Sequence, residues 1–132
     1  MAYTTIDKPT DYFNTKLYTG NGSARTITGV GFQPDWVWVK NRSATSFHHI
    51  YDAVRGDNKQ IYSNSSSAEE TATNTSGGGI GSQASDGFTI VAGTSNTDNV
   101  NTNGNLYASW NWLAGGTAPA ITYTVKVVSD SG

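Results

Sequence analysis

The sequence predicts an all-β fold in which two antiparallel sheets pack as a β-sandwich. Its apolar residues are mainly Val, Ile, Tyr, Trp and Phe, with only three leucines, and these residues favour strands over helices. Short runs of them alternate with clusters of Gly, Asn, Asp and Ser, which are typical of turns. The 132 residues suffice for one domain with a single core.

Eight short runs have the composition of strands and end at turn residues. Between the fifth and the sixth run, the sequence predicts one helical turn at Ser67–Thr73 and a flexible loop at Gly77-Gly78-Gly79. The predicted strands are Lys16–Thr19, Ala24–Thr28, Asp35–Lys40, Phe47–Tyr51, Lys59–Ser63, Gly87–Ala92, Asn105–Leu113 and Ile121–Val128.

Four tryptophans lie in two of these strands. Trp36 and Trp38 share one face of the third predicted strand, and Trp110 and Trp112 share one face of the seventh. A sandwich with few leucines needs large side chains to fill the space between its sheets. We therefore expect at least one tryptophan of each pair in the core.

A change of composition after Leu113 divides the chain. Residues 1–114 are predicted to form the sandwich, 115–120 a Gly/Pro linker, and 121–132 a C-terminal strand. That strand either completes the sheet, pairs with a neighbour or begins a domain that is truncated or cleaved. An unpaired apolar strand invites association, so we predict that it joins copies of the protein. The side chains assigned to this contact are Ile121, Tyr123, Val125 and Val127.

Charge and composition argue against several classes of partner. The net charge of −2 leaves no basic stripe for nucleic acid. No apolar run is long enough for membrane insertion, and the N-terminus lacks the apolar segment of a secretory signal. Without cysteine, neither disulfides nor thiolate metal sites can form. We expect no metal and no cofactor.

Catalysis has little support in the sequence. His48, His49 and Asp52 lie close together, but neighbouring residues of a strand point to opposite faces and cannot serve one site. A glycan-processing enzyme would need two carboxylates at a suitable separation, for which Glu69 and Glu70 in a polar loop are weak candidates. We therefore expect no catalytic residue.

Aromatic residues beside loops are candidates for stacking on sugar rings. Most aromatic side chains are expected in the core, because each buries a large apolar surface. Three lie near predicted turns and are assigned as glycan contacts: Tyr18, Phe47 and Tyr62.

Three segments resemble a family of structural domains of marine and cyanobacterial phages. They are GFQPDWVWVKNR at residues 31–42, DAVRG at 52–56 and YASWNWLAGG at 107–116. The resemblance covers about residues 3–116. It implies a concanavalin A-like jelly roll of the kind found in tail-fibre and appendage proteins, displayed on the virion surface after host lysis.

The expected function is therefore that of a non-enzymatic virion structural protein in a tail fibre or surface appendage. Its expected partners are other virion proteins, copies of itself and, through weak multivalent contacts, host-surface glycans. Two alternatives remain open, a capsid decoration or cement protein and a glycan-processing enzyme. Copy number in the particle would separate the fibre from the cement protein.

Overall fold

The computed structural model describes residues 8–114, and nearly all regular structure in this part of the chain is β. Nine strands form two antiparallel sheets, which confirms the predicted all-β sandwich. Beside them lie one four-residue helix, α1 (Asp98–Asn101), and two 3-10 turns, Pro9–Asp11 and Ala72–Asn74. The strands are β1 (Phe13–Thr19), β2 (Arg25–Thr28), β3 (Trp36–Asn41), β4 (His49–Asp52), β5 (Lys59–Tyr62), β6 (Glu70–Thr71), β7 (Gly79–Ala84), β8 (Gly87–Val91) and β9 (Leu106–Trp112).

Two sheets of unequal size enclose the core. The large sheet has the strand order β1-β9-β3-β4-β5-β6, and the small sheet has the order β2-β8-β7. Buried side chains from both sheets and from α1 meet between them in one continuous cluster. This cluster contains Ile27, Val37, Val39, Tyr51, Ile80, Phe88, Ile90, Val100 and Tyr107.

The seven strands predicted within the described residues are all present, and their ends differ from the prediction by at most three residues. The prediction missed β6 and β7. A helical turn was expected at Ser67–Thr73. A 3-10 turn does begin at Ala72, but the two residues before it form β6, because Glu70 pairs with Gln60 of β5. A tertiary contact therefore decides the structure of a segment whose local signal is weak.

The glycine run is packed and ordered, contrary to the flexible loop predicted there. β7 begins at Gly79, where a Cβ atom would stand 2.5 Å from both the Tyr51 hydroxyl and the Gln60 side-chain oxygen. At Gly78, which has a φ of +64°, a Cβ would collide with the carbonyl oxygen of Val91. Glycine is required here because β8 and the core approach the backbone closely.

The tryptophans lie on the outer face of the large sheet, which corrects the expectation of a tryptophan-filled core. On β3 the buried positions are the valines between Trp36 and Trp38. On β9 the buried alternate positions include Ser109 and Asn111, whose side chains hydrogen-bond to backbone carbonyls of β1. Strand periodicity identifies two faces but cannot tell which is internal when both are apolar.

Two parts of the predicted domain division lie outside the described residues. They are the linker 115–120 and the strand Ile121–Val128, with the contacts assigned to Ile121, Tyr123, Val125 and Val127. The proposed role of this strand in joining copies stays a prediction.

A buried polar network on the inner face of the large sheet surrounds His49. The Tyr51 hydroxyl donates a hydrogen bond of 2.5 Å to the side-chain oxygen of Gln60, and Nδ1 of His49 lies 3.4 Å from the same oxygen. Burial lowers the pKa of His49 to about 4, although the contact with Gln60 acts in the opposite direction. His48 lies in the loop just before β4 and is partly exposed, whereas His49 is buried between the sheets.

Folding stability should fall as the pH is lowered from 7 to 4. In this window unfolded His49 binds a proton near pH 6.5, whereas folded His49 stays neutral until about pH 4. The unfolded state then binds more protons, so the free energy of unfolding should drop by about 3 kcal/mol in total. The lowered pKa values of Asp52 and Asp86 add to the loss only below about pH 5, where their carboxylates begin to bind protons in the unfolded state. Urea unfolding at several pH values should give this slope, and His49→Gln should abolish it between pH 7 and about pH 5. An equal slope in the variant would contradict the assignment.

Two phenylalanines offer a matched test of which residues form the core. Phe88 is fully buried between the sheets, whereas Phe47 is 49% exposed. Phe88→Ala should lower the free energy of unfolding by about 3–5 kcal/mol because it leaves a cavity. Phe47→Ala should cost far less, about 1 kcal/mol or below, since much of its ring already contacts water. Denaturant unfolding of both variants measures the difference, and similar losses would show that the assignment is wrong.

Candidate functional site

The structure brings together two of the three aromatic residues predicted as glycan contacts. Phe47 lies in the loop before β4 and is 49% exposed. Its ring stacks on Tyr62, at the end of β5, with 4.6 Å between ring centroids and 29° between planes. Tyr62 is buried beneath it, so that Phe47 is the ring available to a ligand.

Tyr18, the third residue assigned as a glycan contact, is partly buried and packs against the core, and its assignment stays a prediction. Its ring stacks on Tyr107 at 5.1 Å and meets Phe88 edge-on at 6.3 Å. Its hydroxyl donates a hydrogen bond of 2.7 Å to the carbonyl oxygen of Val100. Burial raises the pKa of Tyr18 well above its ordinary value, so the phenol stays neutral.

Phe47 and Tyr62 form the aromatic side of a cleft of about 520 Å³. The opposite side is polar and is built by β6, the 3-10 turn after it and the start of α1. We call this depression the Phe47 cleft. Its polar lining consists of Glu70, Thr71, Asn74, Thr75, Ser76 and Asn99.

Hydrogen bonds hold the carboxylate of Glu70 in place at the cleft. The Tyr62 hydroxyl donates to Oε2 of Glu70 at 2.5 Å and accepts a bond of 3.0 Å from the side-chain amide of Gln60. Burial, and then the neighbouring Glu70 carboxylate, raise the pKa of Tyr62, so that it remains a donor at neutral pH. Among residues 8–114 the second oxygen of Glu70 accepts no hydrogen bond, so it can accept one from a ligand's hydroxyl group.

On the polar side of the Phe47 cleft, two side chains form hydrogen bonds to Gly78, the residue before β7. Asn99 donates a hydrogen bond of 2.9 Å to the carbonyl oxygen of Gly78, and the Thr75 hydroxyl donates to the same oxygen at 3.1 Å. Within residues 8–114, the side chains of Asn74 and Ser76 make no hydrogen bond and could serve a ligand. Sequence reasoning missed these residues because the chain is rich in Asn and Ser throughout.

A second surface feature is the outer face of the large sheet. Trp36 and Trp112 meet edge-on with 4.3 Å between ring centroids, Trp38 and Trp110 are 5.3 Å apart, and Phe13 lies 4.8 Å from Trp112. At the rim of this cluster two leucines are 57% and 43% exposed. We call this surface the tryptophan face; it consists of Phe13, Leu17, Trp36, Trp38, Leu106, Trp110 and Trp112.

One end of the tryptophan face contains a depression of about 520 Å³ with aromatic walls and acidic neighbours. Trp36 and Trp112 line it together with Asp35 and Asp52. Arg55 donates a hydrogen bond of 2.6 Å to the Asp52 carboxylate. Partial burial opposes ionisation, but hydrogen bonds from Arg55 prevail and lower the pKa of Asp52.

Glycoside hydrolysis uses a pair of carboxyl groups, one of which acts as a general acid. A general acid needs a raised pKa, whereas those of Asp52 and Asp86 are both lowered, the latter by hydrogen bonds from the backbone of Gly31 and Gly29. Glu69 and Glu70 have different partners. The carboxylate of Glu69 lies 3.6 Å from Arg55, whereas that of Glu70 accepts a hydrogen bond from the Tyr62 hydroxyl.

Within residues 8–114, no three His, Asp or Glu side chains are grouped so as to hold a metal ion. The helices described here are also too short to cross a membrane.

Comparison with known proteins identifies one family. No curated protein and no solved structure matches the chain. A family model described as a domain of unknown function, DUF7483, matches residues 8–132. Because the match spans almost the whole sequence, the chain belongs to the DUF7483 family.

Proposed function

We propose that this protein is a non-enzymatic structural module of a phage virion, part of a tail fibre or surface appendage, that holds host glycans weakly in the Phe47 cleft. The virion assignment rests on the sequence segments that resemble phage structural domains. The glycan assignment rests on one observation, an exposed aromatic ring fixed beside a polar cleft.

The cleft has the two chemical parts that sugar recognition needs. The apolar face of a pyranose ring can stack on Phe47, whose orientation is set by Tyr62 beneath it. Hydroxyl groups at the edge of the sugar can then bond to the Glu70 carboxylate and to the side chains of Asn74 and Ser76.

The charge at the cleft favours a neutral glycan. Glu70 is the acidic group in its lining, and the lining contains no Lys or Arg. A uronic or sialic acid would bring a second carboxylate close to Glu70 and would be repelled. Neutral hexose or N-acetylhexosamine oligosaccharides are therefore the proposed ligands.

An open cleft with one exposed ring binds weakly, and this suits a repeated appendage. Many copies on one particle raise the effective concentration of each site, so the whole attachment is far stronger than a single contact. No chemical step is needed for such a role. Two observations are consistent with binding without hydrolysis. The pKa of Asp52 is lowered, and the carboxylate of Glu70 accepts a hydrogen bond from Tyr62.

Removing the Phe47 ring should abolish most glycan binding. Phe47→Ala should raise the dissociation constant for a neutral oligosaccharide by about tenfold or more, because the stacking surface is lost. The matched control is Phe13→Ala, which removes another partly exposed phenylalanine, 37% exposed, from the tryptophan face. Screening on an array of neutral and acidic glycans, followed by NMR titration of a bound one, provides the measurement.

The proposal predicts binding to neutral glycans by the wild type, loss in Phe47→Ala and retention in Phe13→Ala. Equal binding by the three proteins, a preference for acidic glycans, or release of new reducing ends from the oligosaccharide would each contradict it.

A further inference from the structure

The tryptophan face is a contiguous apolar surface on the outer side of the large sheet, and no other strand or helix of residues 8–114 is packed on it. Leu17 is 57% exposed, Leu106 43% and Phe13 37%, and they border four partly exposed tryptophans. Large exposed apolar patches on soluble proteins mark interaction sites, and aromatic residues are enriched in the centres of such interfaces.

Charged residues stand at opposite ends of this face. The strand register places Phe13, Trp112, Trp36 and Asp52 in one row across the sheet. Two rows away lie Leu17, Ala108 and Lys40, at a distance of roughly 14 Å along the strands. Asp35 adds a second carboxylate at the first end, where Asp52 is paired with Arg55, and Arg42 lies beside Lys40 at the other end. The face is therefore acidic at one end and basic at the other.

We infer that the tryptophan face is the interface for a second copy of this chain, packed face to face about a two-fold axis. An axis in the plane of the sheet and perpendicular to its strands exchanges the two ends. Lys40 of each copy then lies over the depression between Trp36 and Trp112, beside Asp35 and Asp52.

This arrangement brings opposite charges of the two copies together and covers the apolar surface of both. An ammonium group over an indole ring gains a cation–π interaction, and the flanking carboxylates add attraction. The same operation places Leu17 of one copy over the end of the other that carries Phe13. Two sheets can pack in this way with their strands nearly aligned and about 10 Å apart.

The other occupants fit the surface less well. A neutral glycan carries no charge to match the acidic and the basic end of the face. The C-terminal strand predicted over Ile121–Val128 has backbone N–H and C=O groups that require a sheet edge, and a sheet face cannot supply their partners. A second copy uses the apolar centre and both charged ends at once.

Sedimentation velocity of the full chain over a concentration series tests the interface. Leu17→Asp should raise the dimer dissociation constant by about 30-fold or more, because it places a carboxylate on an apolar partner surface. Phe47→Asp is the matched control, since it puts the same charge on a similarly exposed apolar position outside the face. That variant should dimerise as the wild type does.

Lys40 tests the two-fold arrangement itself. Lys40→Met should weaken the dimer by about tenfold, Lys40→Arg should preserve it, and Lys8→Met, which changes an exposed lysine outside the face, should have no effect.

A wild-type chain that stays monomeric at high concentration would overturn the inference, as would equal behaviour of Leu17→Asp and Phe47→Asp. A dimer that is lost in Val125→Asp but kept in Leu17→Asp would assign the contact to the C-terminal strand instead. None of these outcomes depends on glycan binding, so the interface and the Phe47 cleft can fail separately.

Discussion

The register of β9 against its two neighbours is the constraint on which the arrangement of both surfaces depends. β9 lies between β1 and β3 and pairs with each along its length. A slip of one residue would turn Trp110 and Trp112 inward and would expose Tyr107. The observed register is held by Asn111, which is fully buried and donates a hydrogen bond of 3.0 Å to the carbonyl oxygen of Asn14. Polar side chains bonded to β1 thus fix which face of the large sheet is internal.

A second polar network connects the core with the proposed binding cleft. It begins at His49 and passes through Gln60 and Tyr62 to the carboxylate of Glu70. Each member occupies the inner face or the edge of the large sheet, so the network stiffens the strands that carry the cleft. The stability of this end of the domain and the position of Glu70 consequently depend on the same hydrogen bonds.

The strands could be predicted from the sequence because their residues and turns give strong local signals. β7 could not be predicted, because Gly79 and Gly81 are needed for close contact with Tyr51 and Val91. A local sequence pattern contains no information on such contacts. The sequence also does not show which face of β3 is internal, because valines alternate with tryptophans along this strand and both are apolar. In the candidate site, Phe47 and Tyr62 were predictable from their size and their position beside turns. The polar lining was not, since Asn and Ser are common along the whole chain.

The clustering of the tryptophans also decides what spectroscopy can report about this protein. All four lie on the outer face of the large sheet, whereas the aromatic rings buried between the sheets are those of tyrosine and phenylalanine. Indole fluorescence therefore monitors one side of the molecule. Neighbouring indole rings at 4.3 and 5.3 Å are close enough to transfer excitation among themselves, so the emission of the cluster acts as one signal. A change of solvent or of a bound partner at that surface therefore alters this signal while the interior stays folded.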